Sequence, residues 1–289
     1  MVKKSYHDII YEKEPPIAYI TLNRPEKVNA LSEDLQLEVR DALEDAGWDD
    51  NEIRVIVIKG AGRGFSAGFD ISGGDNVDTV QWRARFQKGK GFNATGWWDV
   101  FWNNPKPLIA QVHGYCIAGG CATAAFCDLC VCSEDALFGA PEIRYTGPYL
   151  PAIWPWVIGM RKARELLYTG NLIDANEAFR LGMVNKVVPL DRLDEEVNKL
   201  ARTISKVPVV CNEYNKKLVN MTYELMNIRL AMERSYELEA SCLASLESLP
   251  ESAEFNRLVR EQGLKAALTW NSARFAEEDA WFKDARKKS

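Results

Sequence analysis

The sequence predicts an α/β fold, and three observations predict it. Short apolar runs of strand length alternate with helical periodicities through the first half, glycine-rich turns follow the runs, and the second half is mainly helical. Ile17–Leu22 reads as the first strand, and Asn23-Arg24-Pro25-Glu26-Lys27 as a turn. Ser32 suits a helix N-cap, with Glu33 and Asp34 in the first turn and Leu35, Val39, Ala42, Leu43 and Ala46 on one face. Val55–Ile58 is wholly apolar, as strands buried on both faces are. The loop 60–64 leads to Phe65–Asp70, and a polar and aromatic segment runs to about Asn104.

Leu108–Val112 is the next strand, followed by a glycine turn, a helix through Ala125 and the strand Leu129–Cys132. From Arg161 onward the signals are mainly helical: Asp174 caps a short helix that ends at Gly182. Leu190, Leu193, Val197, Leu200 and Ile204 stripe another helix. Helical signals continue over 211–249 and 253–270, with a break at Leu249-Pro250. The reading divides the chain into an α/β core, 1–206, and a helical oligomerisation region, 207–289. A helical third with more apolar face than sheet to cover implies contacts between subunits.

Composition narrows the function classes. In 289 residues, 47% are apolar and 27% charged, ordinary values for a globular protein with a sizeable core. A net charge of −5 argues against a nucleic-acid surface. Lys283, Arg286, Lys287 and Lys288 form a local basic tail, read as a solvated end or a phosphate contact. Residues 1–8 lack the apolar region of a signal peptide, and no apolar run has the length of a membrane span, so a cytoplasmic protein without membrane partners is expected. Five of seven cysteines lie between Cys116 and Cys132, where they read as small buried hydrophobes. With only His7 and His113 to join Cys127, Cys130 and Cys132, no metal site is expected.

The chemistry concentrates in two turns and one acid. Gly68-Phe69-Asp70 and Ala118-Gly119-Gly120 each follow a strand and can each be an ordinary tight connection. As a pair they offer two backbone N–H groups from separate turns, the arrangement that binds the oxyanion formed from a carbonyl. Glu142, in Phe138-Gly139-Ala140-Pro141-Glu142, is a lone carboxylate that reads either as a solvated strand-end group or as an acid/base.

Several ordered motifs carry a family resemblance. They are Asn23–Leu31, Gly64–Ile71, Lys106–Tyr115 with its glycine turn, Cys127-Asp128, Phe138–Glu142 and Gly182-Met183-Val184-Asn185. Together, from about residue 7 to about residue 207, the chain resembles the crotonase (enoyl-CoA hydratase/isomerase) superfamily. The resemblance implies a crotonase-like stacked ββα spiral core, a helical C-terminal trimerisation region giving a homotrimer or a dimer of trimers, and an acyl-CoA thioester substrate. It implies an oxyanion hole from the N–H groups of Phe69 and Gly119, with Glu142 as the acid/base. Lys27, Val28, Ala30, Ser66, Gly68, Asp70, Ile71 and Gly120 are implied to flank the substrate and its coenzyme A, which is the only cofactor-like group expected.

The chain also departs from the hydratase pattern. Those hydratases carry a first glutamate where this chain has Ala122, their second corresponding to Glu142; Ala118 replaces the first glycine of the turn, and the stretch 143–159 is a few residues shorter. Arg144–Trp156 contains no acid. Tyr145, Tyr149 and Tyr236 are the candidates for an auxiliary hydrogen-bond donor, each weighed against a packing role. Trp82, Phe86, Phe92, Trp97, Trp98, Phe101 and Trp102, with Trp154 and Trp156, read as core or as the wall of an acyl pocket suited to a bulky or cyclic group.

The expected function is that of an acyl-CoA enzyme of the hydratase/isomerase group, working through a thioester enolate with one glutamate. The alternatives are a C–C lyase or hydrolase of a β-oxo or β-hydroxy acyl-CoA, similar to the hydroxycinnamoyl-CoA hydratase-lyases, and a non-catalytic acyl-CoA-binding subunit.

Overall fold

Each strand of the core alternates its side chains between two different neighbours, and that alternation explains the layering. The computed structural model describes residues 5–71, 95–145, 153–246 and 248–280. Strands β1 (Ile9–Glu14), β2 (Ile17–Leu22), β3 (Val55–Gly60), β5 (Leu108–Val112), β7 (Leu129–Ser133) and β10 (Lys186–Val188) form a six-stranded sheet in the order β1-β2-β3-β5-β7-β10. Only the β1–β2 pair is antiparallel.

On one face Ile17, Tyr19, Val55, Val57, Ile109 and Val131 pack against Leu193, Val197 and Ala201 of a helix that spans Leu193–Ser205. On the other, Ile20, Ile56, Ile58, Ala110 and Cys130 enter the main core. Burial on both faces accounts for the unbroken apolar runs.

A second sheet, β4 (Gly64–Ser66), β6 (Tyr115–Ile117), β8 (Leu137–Gly139) and β9 (Ile173–Asp174), is ordered β4-β6-β8-β9. Consecutive strands alternate between the sheets: β3, β5 and β7 lie in the first, and β4, β6 and β8 in the second. This is the stacked ββα arrangement of the crotonase fold expected from the sequence.

The helices are α1 (Glu33–Glu44), α2 (Thr95–Trp102), α3 (Gly119–Phe126), α4 (Trp154–Val157), α5 (Met160–Thr169), α6 (Ala175–Arg180) and α7 (Leu193–Ser205). The helical C-terminal region holds α8 (Val209–Leu225), α9 (Ile228–Leu246), α10 (Pro250–Gln262) and α11 (Leu264–Ala273). Ser32 caps α1 by accepting from the Leu35 N–H at 3.2 Å, and Asp174 caps α6 by accepting from Glu177 N–H at 2.8 Å. Helix α2 lies within the segment read only as polar and aromatic. Its burial of Trp97, Trp98 and Phe101 supplies what an irregular periodicity did not announce.

Helix α8 has no buried residue, yet one lysine latches it to the core. Lys216 Nζ donates to the Phe101 carbonyl at 3.1 Å and to Asp128 Oδ2 at 2.9 Å. Asp128 in turn accepts from the Leu108 N–H at 2.7 Å, joining the starts of β5 and β7 to this helix. The basic tail expected at 283–288 falls outside the described residues.

Candidate functional site

The carboxyl ends of β4, β6 and β8 bring the expected residues together, as the ends of adjacent parallel strands do. Ser66 is registered with Cys116 and Ile117 with Gly139. Just past β6, Ala118 N–H donates to the Gly139 carbonyl at 2.8 Å, and α3 begins at Gly119. The first N–H groups of a helix have no intrahelical acceptor, and the helix dipole makes them attractive to negative charge.

The two turns pack almost backbone on backbone. Gly68 has φ +89°, and a Cβ there would meet Ala118 Cβ at 2.5 Å and Gly119 N at 2.9 Å. A Cβ on Gly120 would lie 2.6 Å from the Ser66 carbonyl, and one on Gly119 would lie 2.8 Å from the Phe69 ring. All three glycines are therefore fixed by close approach. Ala118 is held at φ 52°, ψ −131°, a region costly for a residue with a side chain. Phe69 bridges Leu31 in parallel: Leu31 N–H donates to Gly68 O at 2.8 Å, and Asp70 N–H donates to Leu31 O at 3.3 Å. In that pattern Phe69's own N–H points to the edge away from Leu31.

The loop before α1 is locked to this edge by polar side chains. Asn29 is wholly buried; its Nδ2 donates to the carbonyls of Ala61 and Gly64, both at 2.9 Å, and its Oδ1 accepts from Arg24 N–H at 2.9 Å. Ser66 Oγ donates to Asn29 O at 2.8 Å and accepts from Gly68 N–H at 3.1 Å, so the hydroxyl is spent inside the turn. Arg24 donates to Ala30 O at 2.6 Å and to Asp70 Oδ2 at 2.8 Å, and Lys27 Nζ lies 3.2 Å from the same oxygen. Val28 and Ala30 are buried, Lys27 is exposed, and Ile71 presents 40% of its surface.

Nothing local in the Asn23–Leu31 motif marks these tasks of Arg24 and Asn29. The signal available was an asparagine next to a turn, since Asn tolerates the left-handed φ of 53° found there.

Glu142 stands in the single turn Pro141–Arg144 that follows β8. Its Oε2 is sealed from solvent, and burial pushes its pKa up to about 8, against a weaker opposing pull from its own backbone N–H. Arg144 is turned to other business: Nε donates to Thr169 O at 2.7 Å, and Nη2 to Asn171 Oδ1 at 2.8 Å and to Asp279 Oδ1 at 2.9 Å.

Tyr145 stacks on Phe255, with centroids 5.2 Å apart and planes at 15°. Burial and the Glu142 charge push its phenol pKa up. Tyr149 lies outside the described residues. Tyr236 falls on α9, and its side chain lies outside them as well.

Ala122 is fully buried, so no solvent reaches the position where a second carboxylate was missed. The neighbouring space is aromatic: Trp98 stacks on Phe126 at 4.9 Å and meets the Phe69 ring edge-on at 6.3 Å. Trp97, Trp98, Phe101 and Trp154 are buried, while Trp82, Phe86 and Phe92 fall outside the described residues. Among the described residues no group of three or more His, Cys, Asp and Glu could hold a metal, and no helix is long and apolar enough to cross a membrane.

Comparison with known proteins gives the family. A family model described as enoyl-CoA hydratase/isomerase matches residues 12–252. A crotonyl-CoA hydratase from Syntrophomonas wolfei is 38% identical over 209 residues, covering 70% of this chain and 77% of that one. A short-chain-enoyl-CoA hydratase from Clostridium acetobutylicum is 29% identical over 272 residues, covering 90% and 98%. The crystal structure of an enoyl-CoA hydratase/isomerase from Xanthobacter autotrophicus Py2 superposes with a TM-score of 0.86 at 33% identity, covering 94% of this chain and 99% of the other.

Proposed function

The chain belongs to the enoyl-CoA hydratase/isomerase family, and we propose that it moves a proton on an unsaturated acyl-CoA through a thioester enolate, with Glu142 as the single acid/base. The observation that carries this reading is Glu142, half-buried with its Oε2 sealed from solvent and its pKa pushed up to about 8, in the turn after the strand next to the glycine turn. A carboxylate of that basicity takes a proton from carbon more readily than an exposed one and returns it at neutral pH.

In this scheme ionised Glu142 removes a proton from the acyl chain, and the electron pair of the broken C–H bond runs onto the thioester oxygen. The N–H groups of Phe69 and Gly119 donate to that oxygen, each worth about 3 kcal/mol in the transition state. Neutral Glu142 then returns its proton at the α or the γ carbon, so the double bond migrates with no net gain or loss of atoms. Coenzyme A lies along Lys27, Val28, Ala30, Ser66, Gly68, Asp70, Ile71 and Gly120. Most of these contacts are backbone, with the exposed Lys27 ammonium to meet phosphate. The wall of buried Trp98 and Phe126 with half-buried Phe69 favours a bulky or cyclic acyl group. No cofactor beyond the substrate's own coenzyme A is needed.

Hydration is the second reading, favoured by the activity that the Syntrophomonas and Clostridium relatives carry in their names. Against it stands buried Ala122, which leaves water without a second carboxylate to orient it. Three copies of the chain would cover the stripe Val210, Tyr214, Leu218, Met221 and Leu225, all more than half exposed on α8.

Incubation with 2-enoyl and 3-enoyl thioesters of linear and cyclic acids in D2O, followed by mass analysis, separates the readings. Isomerisation gives deuterated double-bond isomers of unchanged oxygen content, and hydration gives the hydroxyacyl product. Tight thioester binding without deuterium exchange overturns both.

A further inference from the structure

The turn that carries Glu142 is gripped from behind by a carboxylate 135 residues from its Arg144. Arg144 Nη1 donates to Asp279 Oδ2 at 3.1 Å and Nη2 to Asp279 Oδ1 at 2.9 Å, so both oxygens fill the guanidinium fork. Asp279 stands in the helical turn 276–280 that follows α11, where its N–H donates to the Phe275 carbonyl at 2.8 Å. The Phe275 ring centroid lies 4.3 Å from the same guanidinium. Thr169 O and Asn171 Oδ1 accept its other bonds, and Gly170 packs so closely that a Cβ on it would lie 2.8 Å from Arg144 Nε.

This is more than a surface ion pair. The Arg144 side chain is only 12% exposed, and Asp279 supplies the charged acceptor beside two neutral ones, so removing that carboxylate strands a cation largely out of water. None of the four residues Pro141–Arg144 is fully buried, so the turn depends on what lies behind it: Ile143 against the main core, Tyr145 stacked on Phe255, and the Arg144 fork. The fork thus joins the acid's turn to the end of the helical region.

We propose that Asp279 is a positioning residue for the acid: through Arg144 it keeps the Glu142 turn closed around its carboxyl. The catalytic side of this inference rests on the proton-transfer reading above, and the structural side does not. Loss of the Asp279 charge acts on Glu142 twice in one direction. A loosened turn admits water, and an uncompensated cation two residues away favours the carboxylate, so the raised pKa falls. The other titratable or charged groups around the cavity of about 620 Å³ beyond the turn are Tyr145, Tyr168 of α5, Cys242 of α9, Glu251 of α10 and Arg274, and Asp279→Asn alters none of them.

Thermal melts at pH 5 and pH 8 test this without turnover. The gain in Tm of Glu142→Gln over its parent at pH 8 relative to pH 5 measures how firmly the carboxyl is kept from water. In an Asp279→Asn background the Glu142 pKa is expected to fall by about one unit or more, shrinking that gain by roughly a third per unit. Asp279→Glu, which keeps the charge, restores most of it. The double variant Arg144→Gln, Asp279→Asn strands no cation and stays measurable where Asp279→Asn fails to fold; the gain shrinks in it as well. In kinetics the rise of kcat/KM moves below pH 8 by the same interval, and the plateau kcat drops about 3- to 10-fold with KM changed less than about twofold.

A gain that keeps its wild-type size in the double variant, or that Asp279→Glu shrinks as far as Asp279→Asn does, overturns the proposal. A shrunken gain with an unmoved kcat/KM profile leaves Asp279 as the clamp and overturns the proton-transfer reading instead, so the two fail separately.

Discussion

At the ends of β4 and β6 the chain meets itself so closely that a Cβ on Gly68 would lie 2.5 Å from Ala118 Cβ, whereas beyond β8 the Glu142 turn borders a cavity of about 620 Å³. The first region is peptide against peptide and is shaped by what is missing from the side chains. The second is shaped by side chains drawn from distant helices. The difference teaches where this molecule has room: the charge-stabilising half tolerates almost no added atoms, while the side chains beyond the Glu142 turn border open space.

The largest expected effect comes from the acid. Glu142→Gln keeps the shape of the buried group and removes its proton chemistry, so kcat should fall by about 10²- to 10⁴-fold in a steady-state assay. The wild-type kcat/KM should climb with pH through about 8, because the free enzyme needs the carboxylate ionised.

Stability should move the opposite way. The folded protein holds this proton up to about pH 8 while the unfolded chain releases it near 4.5, so the folded state binds more protons across that window and loses stability as pH rises. Thermal melts at pH 5 and pH 8 should show the glutamine variant gaining on wild type at the higher pH, by on the order of a few kcal/mol. An unchanged difference between the two pH values would mean the carboxyl is not buried as described.

Gly119→Ala tests the tight side. Its new Cβ would sit 2.8 Å from the Phe69 ring, so the turn must shift and the hole with it. Loss of one donor's alignment predicts about a 10²-fold drop in kcat with a smaller change in KM.

Ala122→Glu asks whether the missing carboxylate can be restored. With Ala122 fully buried, the added atoms overpack the core, and denaturant titration should show a loss of about 1–3 kcal/mol or more. The smallest effect is relief. Ala118→Gly frees a residue held at φ 52° and should add about 1 kcal/mol in the same titration.

Legibility in the sequence followed the range of the interactions. The strands β2, β3, β5 and β7 and the caps Ser32 and Asp174 were readable because their signals are local. The glycine turns and Glu142 were readable as ordered motifs, and the sheet register explains why they meet. Helix α2 was not, since aromatic side chains around most of its surface leave no polar face to mark a period. Arg24's grip on Asp70 joins residues 46 apart, and the cavity draws walls from Ile143 to Arg274; neither leaves a local trace.

The Lys216 latch has a consequence for the order in which the molecule comes apart. Because one ammonium joins α8 to the starts of β5 and β7, and Ile228 and Met232 seat the first turns of α9 in the main core, fraying that begins in α10 and α11 meets a barrier there. Amide hydrogen exchange should therefore spread inward through the last two helices and slow at the start of α9, leaving the two sheets to open only in global unfolding.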